Sequence, residues 1–174
     1  MLQDLCRGRS LAAFAILAGL VLACGPAVGA AKSVAFLGVR FLNDHEAEEP
    51  TSDAERARLA AIEALFKAKL EASGRYVFLG LPREIAEKIA RESTIGSCGG
   101  CEFVYGAQSG DDLVTWLIVQ KVSNLILNIN VYMGDVGSKK LTFVHSVDIR
   151  GNTDESWARG INYLVKNYLL AEPP

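Results

Sequence analysis

The sequence predicts a single α/β domain of the α+β kind. It is built on one mixed sheet of about five strands in the order β-α-β-α-(α)-β-β-β-α, with the helices mainly on one face. Three observations predict it. A near-continuous apolar run, Ser33 to Leu42 (SVAFLGVRFL), has the strong β-formers and two-sided apolar character of a central strand. Strand-like runs alternate with helical stripes through the first half, which requires crossover connections and therefore parallel pairing. In the second half three strand-like runs follow one another with only turn residues between them, which gives antiparallel pairing.

The first thirty residues read as an address. Arg7 and Arg9 precede an apolar run from Leu11 to Cys24, the layout of a secretory signal and short for a membrane span. Val28-Gly29-Ala30 supplies small residues for cleavage before Ala31, whereas Val21-Leu22-Ala23-Cys24 resembles a lipobox that would lipidate Cys24. The expectation is a signal peptide over 1–30 and one periplasmic domain over 31–174, with membrane attachment only if Cys24 is lipidated. The leader holds Arg7, Arg9 and Asp4. Of 18 basic and 20 acidic residues, 16 and 19 remain after its removal, a net charge of −3. Such a chain has no basic field for nucleic acid. At half apolar residues overall and without a low-complexity tract, it also has the composition of an ordered domain.

After the first strand, the segment 43–49 is acidic, and Ser52 with Glu55 has capping-box spacing at a helix start. Leu59, Ile62, Phe66 and Leu70 then form one helical stripe, which Ser73-Gly74 ends. Arg75 to Leu81 reads as a second strand, and Pro82 opens a helix to about Glu92 with Ile85 and Ile89 inward. Cys98-Gly99-Gly100-Cys101 leads into a short helix through Ala107, and the third strand emerges from Asp111-Asp112. Lys140 to Arg150 alternates strictly as a fifth strand. Asn152 with Glu155 caps a last helix whose stripe is Trp157, Ile161, Leu164, Val165 and Tyr168. The tail Glu172-Pro173-Pro174 should fray.

The stretch Gln120 to Tyr132 (QKVSNLILNINVY) organises the second half. With Ser123 and Asn124 as a two-residue hairpin loop, Val122 faces Leu125, Gln120 faces Leu127, Ile118 faces Ile129 and Trp116 faces Val131. Trp116, Ile118, Leu127, Ile129 and Val131 then share the core face, and a slip of one residue would bury the asparagines. The opposite face presents Lys121, Asn128, Asn130, Ser146, Asp148 and Arg150, beside apolar Val119, Ile126, Tyr132 and Val144. Asparagine is depleted in strands, so this mixed amide, charged and apolar face is the candidate binding surface for another envelope protein.

Chemistry is sparse. Cys98 and Cys101 are the only cysteines left in the mature chain, and an exported compartment favours their disulfide, which would stabilise by about 2 kcal/mol. Glu102 beside Cys101 disfavours a thiolate, and zinc would need two further ligands where His45 and His145 are the only histidines. Asp44, His45, Glu46, Glu48 and Glu49 lack EF-hand spacing and read as a solvated loop. His145 falls in phase with Phe143 and Val147 as a boundary histidine. No P-loop, GxSxG, HExxH or GxGxxG occurs. No cofactor, metal or enzymatic activity is therefore expected.

The segment order, the SVAFLGVRFL opening and the QKVSNLILNINVY hairpin resemble the amino-terminal α/β domain of TolB proteins and the periplasmic domain of the curli-secretion lipoprotein. QKVSNLILNIN, SVDIRGNTDESWARG and the CGGC element are similar to those of a family of small secreted proteobacterial proteins classed as a domain of unknown function. The resemblance implies a non-enzymatic periplasmic accessory or adaptor module. The alternative is a small-ligand, metal-binding or redox accessory protein using the 43–49 loop or the CGGC pair, linked to periplasmic quinoprotein oxidation.

Overall fold

The computed structural model describes residues 30–92 and 95–171. The expected leader, the lipidation alternative at Cys24 and the fraying tail lie outside them. The elements are β1 (Lys32–Asn43), α1 (Asp53–Ala72), β2 (Tyr76–Val77), α2 (Arg83–Glu92), α3 (Cys101–Ser109), β3 (Leu113–Lys121), β4 (Ile126–Asp135), β5 (Lys140–Arg150) and α4 (Asp154–Leu164), which runs on as a π-helical turn over Val165–Leu169. They build one mixed sheet in the order β2-β1-β3-β4-β5. β1 lies parallel to β2 and β3, and β4 is antiparallel to β3 and β5.

The helices form where local chemistry starts them. Ser52 caps α1 in a reciprocal box with Glu55, and Ile62, Phe66 and Leu70 are buried as one stripe. α4 begins one residue later than its sequence suggests. Thr153 is the cap and Ser156 its partner, because Asn152 spends its side chain on α1 and Trp157 instead. β2 is also shorter than the expected seven-residue strand. It pairs only at Tyr76 and Val77, and the chain then leaves the sheet through Gly80, whose φ of +82° belongs to the left-handed region, toward Pro82 and α2.

α1 and α4, the two longest helices, share one face of the sheet, over a core of Val34, Leu117, Leu127, Ile129, Trp157 and Ile161 among others. α4 comes very close to the sheet: a Cβ on Gly160 would stand 2.7 Å from Ile149 Cγ2. The shorter α2 and α3 cover part of the other face, where Leu37, Ile85, Tyr105, Val114, Trp116 and Ile118 form a second core.

That second core corrects the expected hairpin register. Trp116 stands opposite Tyr132, Ile118 opposite Asn130, Gln120 opposite Asn128 and Lys121 opposite Leu127, one residue away from the expectation. The loop is Val122–Leu125 rather than Ser123-Asn124 alone. Ile126 O closes it by accepting the N–H groups of Val122 and Ser123, each at 3.1 Å, and Ser123 Oγ accepts those of Leu125 and Ile126. A one-residue slip turns every β3 side chain over relative to β4. β3 is apolar on both sides and buried from Leu113 to Val119, so burial of that stretch favours neither phase, and the buried Lys121 of the observed phase is offset by Glu55 and Glu49. The asparagines keep their outer face because the slip falls on β3.

Candidate docking face

β4 and β5 carry the candidate site. Their register sets Ile126 against Arg150, Asn128 against Asp148, Asn130 against Ser146 and Tyr132 against Val144, all on the face away from α1 and α4. Asn130 Nδ2 donates to Asn128 Oδ1 at 2.6 Å and to the Ile118 carbonyl at 3.3 Å, which holds both amides flat on the sheet. The Tyr132 ring stacks on Trp116 at 5.2 Å and 5°. Ile126 and Val144 are about half exposed, at 47% and 51%, and Ser146, Asp148 and Arg150 are exposed. α3 reaches β4 near Gly134, where Phe103 stands, and beyond it the half-buried amides share the face with exposed Asp148, Arg150, Ile126 and Val144.

Lys121 does not belong to this face. The corrected register turns it to the other side, where it is 1% exposed and its Nζ lies 2.9 Å from Glu55 Oε1 and 3.3 Å from Glu49 Oε1. Burial pushes the Glu55 carboxyl up, but the Lys121 ammonium, the Ser52 N–H and hydroxyl, and the Asn152 amide outweigh it and hold the carboxyl at about 2. Burial likewise opposes the Lys121 charge, and the two glutamates raise its pKa regardless. Asn152 joins this knot to the rest. It donates to Glu55 at 2.7 Å and to Asn124 at 3.0 Å, and accepts from Trp157 Nε1 at 3.0 Å and Arg58 at 3.1 Å. The knot ties the starts of α1 and α4 to the β3–β4 loop. A sequence signal for it exists: Lys121 is in phase with Leu117 and Val119, an apolar set in which a lysine needs a buried counter-charge.

The remaining candidates are placed as follows. Cys98 and Cys101 are joined by a disulfide with Cα atoms 5.6 Å apart, closing the turn into α3. With Glu102 they form the one His, Cys, Asp or Glu cluster among the described residues compact enough for a metal. Both sulfurs are in the disulfide, and Glu102 accepts from the Gly96 N–H at 2.6 Å. The acidic loop is tied to its own chain. Glu46 accepts from Thr51 Oγ1 at 2.6 Å and from its N–H at 3.0 Å, and these bonds lower its pKa, while Glu49 turns to Asn124 and Lys121. His145 stacks between Phe143 at 4.8 Å and Tyr168 at 4.4 Å. No described helix is long and apolar enough to cross a membrane.

A family model described as "Protein of unknown function (DUF2380)" matches residues 32–169. No curated protein matches the chain. Among solved structures, the PelC dodecamer from Paraburkholderia phytofirmans superposes with a TM-score of 0.50 at 14% identity, over 81% of this chain and 89% of that one. Lipoprotein GNA1162 from Neisseria meningitidis gives 0.50 at 14% identity, over 81% and 99%. TolB from Acinetobacter baumannii gives 0.46 at 11% identity, over 83% of this chain and 29% of that one. The likenesses to PelC and GNA1162 are likenesses of fold.

Proposed function

The chain belongs to this family of proteins of unknown function, and from that premise we infer that it is a non-enzymatic accessory or adaptor module of the periplasm that docks another envelope protein through the β4–β5 face. The observation that carries the reading is the uncovered strip itself. A sheet face that only meets water needs polar alternation, but here Ile126 and Val144 flank amides locked to each other and a stacked Trp116–Tyr132 pair. Rigid amide and aromatic groups with exposed aliphatic neighbours suit recognition, because little side-chain freedom is lost on binding. Asp148 and Arg150 would supply specificity more than affinity. The same fold serves the lipoprotein GNA1162 and the PelC dodecamer, in keeping with a role in attachment and assembly.

The test is crosslinking and recovery from periplasm, comparing the wild type with a folded Asn128→Ala, Asn130→Ala, Arg150→Ala variant. The wild type should recover a partner that the variant loses. Equal recovery of the same partners by both would rule the face out.

A further inference from the structure

We propose a second docking site, independent of the β4–β5 face: the open edge of β1, which takes an extended peptide of a partner protein as an added, parallel strand. β1 has a central strand's composition but half an edge strand's environment. β2 pairs with it only at Lys32 and Ser33, and among the described residues no strand lies beyond it from Val34 to Asn43. A bulge at Leu37 and Gly38, the latter at a φ of +108°, breaks that stretch between Phe36 and Val39, and its longer regular piece, Val39 to Asn43, is about 16 Å long at about 3.3 Å per residue. An apolar open edge of this kind is a template for strand addition.

Two cavities, of about 320 and 420 Å³, lie against this edge. The first is walled by Phe36, Lys67 and Phe78 toward α1 and by Ala86 and Ile89 of α2. The second follows Leu37 to Leu42 beneath Ile89 and Ile95. The helices therefore stand apart where a sixth strand would run. An entering segment would set alternate side chains against Phe36 and Phe78 on one side and Leu42, Ile89 and Ile95 on the other, so it is apolar at least at alternate positions.

Charge and direction follow from the same geometry. Arg40 lines the second cavity and its guanidinium donates to the Ile95 carbonyl at 3.2 Å and Ser97 Oγ at 3.1 Å. These acceptors are neutral, and among the described residues no carboxylate pairs with it. The slot continues the track of β2, which runs parallel to β1, so a parallel segment brings its carboxyl-terminal end to Arg40. The occupant is thus an extended, apolar-alternating peptide with a carboxylate at that end.

The probe is a synthetic heptapeptide alternating threonine and valine and ending in a free aspartate, titrated into the isotope-labelled chain and followed by amide shifts and hydrogen exchange. The expected result is shifts and new protection at amides of Val34–Asn43. Arg40→Glu should weaken binding about tenfold or more, and a peptide ending in lysine amide should then bind that variant better than the wild type. Arg40→Gln keeps a donor for Ile95 and Ser97, so its weaker binding at an unchanged melting temperature would separate charge from folding. The β4–β5 triple variant should bind the peptide as the wild type does, whatever its partner recovery. Unchanged β1 amides at saturating peptide, or a response centred on β5, would overturn the proposal. So would the same protection appearing with protein concentration alone, which would make a second copy the occupant.

Discussion

Lys121 is fully buried between Glu55 and Glu49, and the pair it forms with Glu55 is costly to break from either side. Removing the lysine leaves a buried carboxylate without its counter-charge, a change that costs about 3–5 kcal/mol in comparable buried pairs. The pH dependence follows from direction. Glu55 titrates at about 2 in the folded chain against an ordinary 4.5, so its stabilisation is fully present above the ordinary value and is lost as pH falls toward the folded one. The size is on the order of 3 kcal/mol. Urea midpoints measured from pH 6 to pH 2.5 should fall steeply for the wild type and distinctly less for Glu55→Gln. Parallel curves would show that Glu55 does not carry the acid limb.

At the scale of elements, α4 is held by one large anchor and one close approach. Trp157 is fully buried, packs at a tilt against Phe41 with ring centroids 5.9 Å apart and donates to Asn152, while Gly160 admits the helix to β5. Trp157→Ala should cost about 3–5 kcal/mol. Glu48→Ala, in the exposed 43–49 loop, should stay within about 0.5 kcal/mol. Calorimetric melting of the two variants checks this, and equal melting temperatures would contradict the anchor role. The acidic loop is nonetheless tied to its surroundings, because Glu46 bonds Thr51 and Glu49 reaches Asn124 and Lys121.

For the whole molecule, stability should be distributed as the strand order dictates. β3 and β4 have a strand on each side, β5 has only β4, and β1 beyond Ser33 has only β3. Native-state hydrogen exchange should therefore be slowest in β3 and β4, and faster at the outward amides of β5 and of β1 after Ser33. Uniform protection across all four strands would mean that both edges are covered in solution.

The sequence by itself determined the elements and the mixed sheet, because those follow from local patterns: the Ser52–Glu55 box, the α1 stripe and the alternation of β5. It also placed Asn128, Asn130, Ser146, Asp148 and Arg150 on one face, since β4 and β5 are polar on one side and apolar on the other, and a period of two then fixes which side turns outward. The tertiary structure decided the phase of β3, because Leu113 to Val119 is apolar on both sides and the counter-charges of Glu55 and Glu49 let Lys121 turn inward. That phase removed Lys121 from the face and sent it to Glu55, a partner 66 positions away in the sequence. Tertiary structure also decided that β1, apolar throughout like an inner strand, is an open edge for most of its length. The reason is that pairing depends on where β2 leaves the sheet, and the turn at Gly80 that carries it away leaves no mark in the composition of β1.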